Sequence, residues 1–252
     1  MNPRVVSRAI LRFVPLLMLL CWQGSASAQI PDKFTNLKIL PKSIAKDDLV
    51  STMRGFSVGL GVRCNYCHVE MDSTKGKGMD WPSDAKKEKT VARNMMTMVT
   101  AINKSYIAKA GIQSPTQVQC VTCHHGIQEP ETLTDVLKKT VVKDGVPAAQ
   151  QQYRDLRTKY YGTGAYDFSS LGLRDLASWM VKDRNDLDGA ITIVTMSIDQ
   201  DPSNSDNYVV LGSIQIKKGD KEAAFASLKH ALELDPQNHR AQDMLNSLQS
   251  GQ

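Results

Sequence analysis

The sequence is poor in cysteine, in aromatic residues and in net charge, and each scarcity narrows the functions open to it. Of its five cysteines, four lie in two short motifs and the fifth, Cys21, lies near the N-terminus. None is left over for the structural disulfides that exported chains normally form. Three N-terminal arginines carry +3 of the net charge of +5, and the remaining +2 is too balanced to indicate a nucleic-acid-binding protein.

The N-terminal segment, up to Ala28, has the pattern of an export signal. A positive region, an apolar run and a small-residue cleavage site follow one another as Arg4, Arg8 and Arg12, Phe13–Cys21 and Ala26–Ala28. The apolar run is too short to span a membrane comfortably as a helix. Lipid attachment at Cys21 is the alternative, but the preceding Leu20 is bulky where a lipoprotein site has a small residue. We therefore predict a signal peptide over residues 1–28 and an exported, periplasmic protein, which a membrane-associated redox complex would hold at the outer face of the inner membrane.

The most informative pattern is a repeated C-x-x-C-H motif. It occurs as Cys64–His68 and again as Cys120–His124. Two thiols at this spacing can add to the vinyl groups of one porphyrin, and the following histidine then ligates the iron. We predict two covalently attached c-type haems, held by Cys64, Cys67, His68, Cys120, Cys123 and His124. A redox-active thiol pair and a four-cysteine zinc site are alternatives, but histidine at the same offset in both copies favours haem. An aromatic content of only 6% fits a first domain whose core is largely porphyrin.

A helix is predicted just before the first motif. Its apolar face consists of Leu49, Val50, Met53, Phe56 and Leu60. Gly59 and Gly61 end the helix, and the turn would fold Met53 back over the first haem. The thioether of Met53 is then a candidate sixth ligand, or only part of the core. Met71 and Met79, in a predicted loop after the motif, are competing candidates.

A second helix is predicted from about Thr90 to Ala110, again directly before a motif. Its apolar face consists of Val91, Met95, Met98, Val99, Ile102, Tyr106 and Ile107. Spacing alone leaves Met95, Met96 and Met98 open as sulfur ligands of the second iron. The order of methionine-bearing helix, turn and motif is thus repeated, and each half would supply both faces of one haem.

Several stretches share residues with one known family. They are Phe34–Leu40, Leu49–Met53, both motifs, Ala92–Met95, Ala101–Asn103, Tyr106 and His125–Gly126. On these residues the chain, over about 34–130, resembles the cytochrome subunit of the photosynthetic reaction centre. The resemblance implies a distal methionine on the helix before each motif. It places Met53 opposite His68 and Met95 opposite His124, and it favours Met95 because that residue follows Ala92–Asn94.

The sequence departs from that family in two respects. The family subunit holds four haems in two halves, whereas this chain has one half, so the resemblance implies a dihaem version. The family's distal histidine in the loop between helix and motif, which serves a haem of the other half, has no counterpart, and Lys109 lies near its position. Arg63, Arg93 and His125 are candidate partners of haem propionates, with surface exposure as the alternative for each. His125 is also a candidate for an unusual haem ligand.

Helical repeats are predicted after the haem domain. We assign residues 29–135 to that domain, 136–165 to a lysine-bearing linker and connecting helix, and 166–252 to repeats. The dipeptide Asp201–Pro202 returns as Asp235–Pro236, and this spacing is the period of a tetratricopeptide repeat.

Within the repeats, particular residues are expected to pack between helices. In the later unit these include Ala223 and Phe225, and a weaker earlier unit aligns through Asp186, Ala190, Val194 and Ile198. Such arrays form surfaces that bind another protein. Bracing of the cytochrome, or dimerisation, is the alternative.

Two functions compete for a mainly α protein of this kind. The first is an exported dihaem carrier of single electrons, with both irons saturated by histidine and methionine and the repeats docking redox partner proteins. The second is an enzyme, such as a dihaem peroxidase or small-molecule reductase, which needs one labile iron site and acid–base groups beside it. No such distal group is evident from the sequence, so the electron carrier is favoured. An assembly scaffold with structural haems ranks last.

Overall fold

A computed structural model describes residues 30–71 and 78–250 of the chain. Within these ranges ten α-helices occur: α1 Lys46–Leu60, α2 Lys87–Ala101, α3 Cys120–His124, α4 Leu133–Asp144, α5 Val146–Tyr160, α6 Ser170–Trp179, α7 Leu187–Gln200, α8 Ser205–Lys218, α9 Lys221–Leu234 and α10 His239–Ser250. The predicted mainly α class is confirmed. The predicted signal peptide, with Cys21, lies outside the described residues. No helix of the described ranges is long and apolar enough to cross a membrane.

The described chain divides into two compact units. The first takes in residues 30–48, 64–71 and 78–98, and the second takes in 49–63 and 99–250. The first unit contains a two-stranded antiparallel sheet, β1 Val69–Glu70 and β2 Met79–Asp80, in the segment predicted as a loop.

Helix α1 ends at its glycines, as the sequence predicts. The amide of Gly61 donates to the carbonyl of Val58 at 3.3 Å, and the amide of Val62 donates to the carbonyl of Ser57 at 3.0 Å. This pair of bonds is the Schellman arrangement, and it requires the left-handed backbone that Gly61 adopts at φ 63°. The helix therefore stops at Leu60, and the chain turns toward Cys64.

The second predicted helix is present but does not keep one geometry. Helix α2 is followed by a π turn, Ile102–Tyr106, and then by a 3₁₀ turn, Ile107–Lys109. Such departures from α geometry are frequent where a side chain has a specific task. Here the π turn carries Asn103, whose contacts are described below.

The lysine-bearing segment after residue 135 contains helix α4, which packs into the core of the second unit. Leu137 and Val141 of α4 are 1% and 4% exposed, and they pack in one core cluster with Tyr153 of α5 and Leu173 of α6. The lysines of α4 lie on the outside of the same helix, where Lys138 lies over the Trp179 ring. The sequence interpretation weighed the lysines and missed the apolar residues at helical spacing between them.

Helices α6 to α10 stack one on the next in chain order. Equivalent caps recur at the repeat period. Asp186 accepts a hydrogen bond from Gly189 N at 2.9 Å, and Asp220 accepts one from Ala223 N at 3.1 Å. Asn204 and Asn238 likewise begin α8 and α10 by accepting from backbone amides. The repeat period therefore extends to one helix before and one helix after the unit formed by α8 and α9.

The expectation that Ala223 and Phe225 pack between helices is wrong, because the buried face of α9 is displaced by one residue. Because Asp220 caps α9, Ala223 occupies the first turn, and Phe225 is 40% exposed. Ala224 and Leu228 are the fully buried residues of this helix. In the earlier unit Ala190 and Val194 are fully buried, as expected, and Ile198 is half-buried.

Candidate functional site

The first motif forms a short 3₁₀ turn, Cys64–Tyr66, that leads directly into β1. The amides of Cys67 and His68 both donate to the carbonyl of Cys64, at 3.3 and 3.0 Å. The carbonyl of Asn65 accepts from Lys86, and the side chain of Asn65 donates to Glu70 at 3.0 Å. These hydrogen bonds close the turn, so that the Cys64 thiol, the Cys67 thiol and the His68 imidazole are carried by one compact segment.

His68 is half-buried against an aromatic neighbour. The rings of His68 and Trp81 are 4.9 Å apart between centroids and lie nearly edge to face, at 68°. No described residue makes a hydrogen bond with the buried Nδ1 of His68. Burial lowers the pKa of His68, and the positive charge of Lys89 lowers it further. A neutral imidazole is the form that ligates iron.

Trp81 is held by a network that sequence reasoning missed. Lys89 donates to the carbonyls of Trp81 and Ser83, each at 2.7 Å, and lies 3.5 Å from the carboxylate of Asp84. Asp84 also binds Lys38 at 2.6 Å and Arg93 at 2.9 Å. The hydrogen bond from Lys38, followed by those from other partners, lowers the pKa of Asp84. We call these residues, with Asn36, the Asp84 network.

The network changes the interpretation of one candidate. The sequence made Arg93 a candidate haem propionate partner, whereas its guanidinium binds Asp84 and donates to the carbonyl of Asn36 at 3.2 Å. The family resemblance could have pointed to this network, because Asn36, Lys38 and Arg93 all lie in the stretches that the chain shares with the family.

The second motif is a capped single turn of helix, α3. Gln119 and Thr122 form a reciprocal capping box at its start. The backbone amide of Gln119 donates to the Thr122 hydroxyl at 3.0 Å, and the Gln119 side chain accepts from the backbone amide of Thr122. His125 ends the turn in left-handed geometry at φ 48°, and the chain reverses at once. The carbonyl of Ile127 thereby comes to lie 3.0 Å from Nδ1 of His124. When Nδ1 carries the proton, it donates to that carbonyl and leaves the Nε2 lone pair for a metal.

The approach to the second motif is fixed by one side chain. Asn103 accepts from the amide of Val118 at 2.8 Å and donates to the carbonyl of Val118 at 2.9 Å. Val118 lies two residues before Cys120, so the π turn that carries Asn103 sets where the motif begins.

The C-terminal end of α1 packs directly against the second motif. The amide of Gly126 donates to the carbonyl of Gly59 at 2.9 Å. A Cβ atom at Gly59 would lie 3.1 Å from the amide nitrogen of Val121 and 3.2 Å from Cβ of Cys120. The helix that bears Met53 is therefore in contact with the motif that bears His124.

The candidate methionine ligands lie on the predicted elements. Met53 is half-buried on α1, while Met95 and Met98 of α2 are 37% and 46% exposed. Met96 is half-buried on the same helix, and Met71 is 38% exposed after β1. The assignments of Met53 to the first iron and Met95 to the second stay predictions.

The described residues around the motifs fit large apolar cofactors. Among the described residues before 132, the buried apolar side chains are Leu49 and Ile127, and α2 buries none of its residues. Large apolar side chains that stay exposed there include Val58, Val91, Met95, Met98, Tyr106, Ile112 and Val121. An amphipathic helix with no buried residue lacks the packing that usually stabilises helices. Porphyrin faces are of the right chemistry to cover this surface.

Among the described residues, the four motif cysteines form no disulfide. Burial raises the pKa of the Cys67 and Cys120 thiols. Within the described ranges, histidine, cysteine and acidic side chains form no cluster of three or more that could hold a metal ion.

The histidines of the repeat region lie away from the two motifs in sequence. His230, half-buried on α9, binds Glu233 at 3.0 Å and contacts the Tyr208 ring, and His239 is exposed at the start of α10.

The fold and the two motifs define a helical, cytochrome-like protein with a repeat region for protein interaction. The family model described as "Photosynthetic reaction centre cytochrome C subunit" matches residues 22–198. The chain belongs to this family, and membership implies c-type haem binding. The match continues well past residue 130, where the resemblance recognised in the sequence ends.

A tetratricopeptide repeat model matches residues 205–238, which contain α8 and α9. Such repeats dock peptides and partner proteins. Among solved structures, the second repeat domain of human RPAP3, bound to an HSP70 peptide, is 19% identical over 46% of this chain and 92% of that one, with a TM-score of 0.34. The Arabidopsis OM64 repeat domain is 19% identical over 47% of this chain and 92% of that one, with a TM-score of 0.33. The MamA protein is 20% identical over 47% of this chain and 61% of that one, also with a TM-score of 0.33. No curated protein matches the chain.

Proposed function

We propose that this chain is an exported dihaem c-type cytochrome that transfers single electrons. The observation that carries the proposal is the repeated motif, with the His124 ring already oriented by the Ile127 carbonyl for ligation through Nε2. The uncovered apolar surface of α2 supports it, because that surface matches what a covalently bound porphyrin would bury.

The roles of the residues follow from their chemistry. Cys64 and Cys67 would hold one porphyrin through thioethers, and Cys120 and Cys123 would hold the other. His68 and His124 would be the proximal ligands. Haem, when bound, supplies one-electron chemistry at iron, and the protein supplies orientation, burial and ligand identity.

The sixth ligands decide whether the protein carries electrons or binds substrates. With Met53 on the first iron and Met95 on the second, as the family implies, neither iron keeps an open position. Thioether ligands raise the potential relative to paired imidazoles. The protein then has no site at which peroxide or another small molecule would react.

The repeats would hold the cytochrome to its electron donor or acceptor. Docking of this kind brings haem edges close to a partner without a large haem-domain interface. The export pattern that ends at Ala28 favours the periplasm for this exchange, beside a membrane-associated redox complex.

One set of measurements on the purified, exported protein tests the proposal. We expect intact mass to show two covalently attached haems per chain, and spectra of the oxidised protein to show low-spin iron with methionine ligation at both. Redox titration should resolve one-electron steps without peroxide turnover. One or no haem by mass contradicts the dihaem assignment, and high-spin iron with rapid cyanide or peroxide binding indicates the enzyme instead.

A further inference from the structure

We propose that the second haem-binding motif positions the sixth ligand of the first haem, through the C-terminal end of α1. Gly59 and Gly61 are the positioning residues. The inference rests on the proposed function, because it concerns ligation by Met53. It makes the first haem site structurally dependent on the second motif, while the second motif does not depend on the first.

The contact that carries the inference is made of backbone atoms. The amide of Gly126 donates to the carbonyl of Gly59 at 2.9 Å, and Gly59 lies against Cys120 and Val121 without a side chain between them. Gly126 follows His124 by two residues. The whole turn of the second motif thus lies on the end of α1.

Gly61 closes the same contact from the other side. It adopts φ 63°, and a Cβ atom at this position would lie 2.1 Å from the carbonyl oxygen of Gly126. That separation is far inside van der Waals contact, and the obstructing atom belongs to the backbone. Only glycine therefore allows α1 to end in this place against this turn.

A helix transmits this constraint to Met53. Met53 lies six residues before Gly59 on α1, and an uninterrupted α-helix is stiff over two turns. The fixed end of α1 therefore determines where Met53 is presented. The chain then needs only three further residues after Gly61 to reach Cys64, the first thioether position.

The dependence is directional. The second motif has its own supports, which are the Gln119 cap, the Ile127 carbonyl for His124 and the Asn103 contact with Val118. Loss of the Met53 thioether leaves all of them in place. Loss of the α1 contact, in contrast, leaves Met53 on a helix without a fixed end.

The test uses the full-length exported protein with both haems attached. In the reduced protein each methionine-ligated haem gives one ring-current-shifted methionine methyl signal in proton NMR. Met53→Ala identifies the signal of the first haem. We expect Gly61→Ala to retain two covalent haems by mass, to lose the signal that Met53→Ala removes, and to keep the other.

Two matched variants separate contact from backbone strain. Gly61→Asn tolerates the left-handed conformation but also carries a Cβ atom, so it should lose the same signal. Gly219 has φ 89° and nothing within 4 Å of the point that a Cβ atom would occupy, so Gly219→Ala imposes comparable strain far from the motifs. We expect Gly219→Ala to keep both signals.

A milder variant keeps the test decisive if Gly61→Ala does not fold. Gly59→Ala displaces its neighbours by a few tenths of an ångström, and we expect it to shift the potential of the first haem. The inference is overturned if Gly61→Ala keeps both signals, or loses only that of the second haem, or if Gly59→Ala moves neither potential. The spectrum of the wild-type protein is recorded first. The absence of shifted methionine methyl signals from that spectrum would contradict the proposed function itself.

Discussion

The guanidinium of Arg93 and the carboxylate of Asp84 are 2.9 Å apart, and this ion pair joins helix α2 to the loop that carries Trp81. Asp84 also binds Lys38, from the segment that precedes α1. Three segments that are distant in sequence therefore meet at one carboxylate. Because Lys89 of the same network also binds the Trp81 carbonyl, the network supports the environment of His68.

Replacement of Asp84 by asparagine should destabilise the protein in a pH-dependent manner. The network lowers the pKa of Asp84 below its unfolded value of about 3.9, so its ionisation stabilises the folded state above that pH. This stabilisation is lost as the pH falls from about 4 toward the folded pKa. Urea unfolding of wild type and Asp84→Asn at several pH values between 3 and 7 measures the difference, which should be constant near neutrality and shrink in acid.

Lys38→Met provides the internal comparison for that experiment. Lys38 makes the largest contribution to the lowered pKa of Asp84. We expect the variant to show a smaller acid-dependent loss than wild type, because part of the shift is gone. An equal difference between wild type and Asp84→Asn at every pH would contradict the electrostatic account.

Removal of the Trp81 ring should change one haem and spare the other. The ring contacts the His68 imidazole and keeps water from it, so Trp81→Ala should expose the first haem's proximal side. Greater polarity stabilises the oxidised iron, and the potential of one haem should fall. Redox titration measures the shift.

Two variants serve as controls for that change. Trp81→Phe keeps an aromatic edge against His68 and should retain most of the wild-type potential. Trp179→Phe alters a tryptophan of α6 in the other unit and should leave both potentials unchanged. An equal shift of both haems in Trp81→Ala would show that the ring acts on the whole protein instead.

Gly212 of α8 packs closely against Leu228 of α9. A Cβ atom at Gly212 would lie 2.9 Å from Cγ of Leu228, which is fully buried. Gly212→Ala should therefore lower the free energy of unfolding by about 1–3 kcal/mol, the usual range for an overfilled core. Thermal and urea unfolding measure the loss.

A double-mutant cycle isolates that contact. Leu228→Ala alone should cost about 2–5 kcal/mol because it leaves a cavity. In the double variant the added methyl group at position 212 occupies part of that cavity, so the combined loss should be smaller than the sum of the two single losses. Additive losses would mean that the two residues do not share the space.

The features that were predictable from sequence depend on local spacing. The two C-x-x-C-H motifs, the stop at Gly61 and the recurrence of the Asp-Pro dipeptide are all visible in the order of residues alone. The helices before each motif were recognised for the same reason, since their apolar residues recur at the helical interval. The family match confirms that such local patterns identified the right class of protein.

What sequence reasoning missed is set by contacts between distant segments. Nothing near Asp84 indicates that Lys38 and Arg93 would meet there. The apolar residues of α4 were hidden among lysines, and their burial depends on α5 and α6. The inward position of Ala224 instead of Phe225 follows from the Asp220 cap, which fixes the rotation of α9.

The side-chain amide of Asn103 hydrogen-bonds both the amide and the carbonyl of Val118, as a residue of a neighbouring β-strand would. This pair of bonds fixes the position of a segment that belongs to no β-sheet. If Cys120 and Cys123 attach a haem as proposed, a deletion or insertion between residues 118 and 120 would displace both thiols from the position that Asn103 sets for them. Length changes between residues 112 and 117 leave the distance from Val118 to Cys120 intact. We therefore expect the length of this loop to tolerate change, and the spacing between Val118 and Cys120 to be fixed.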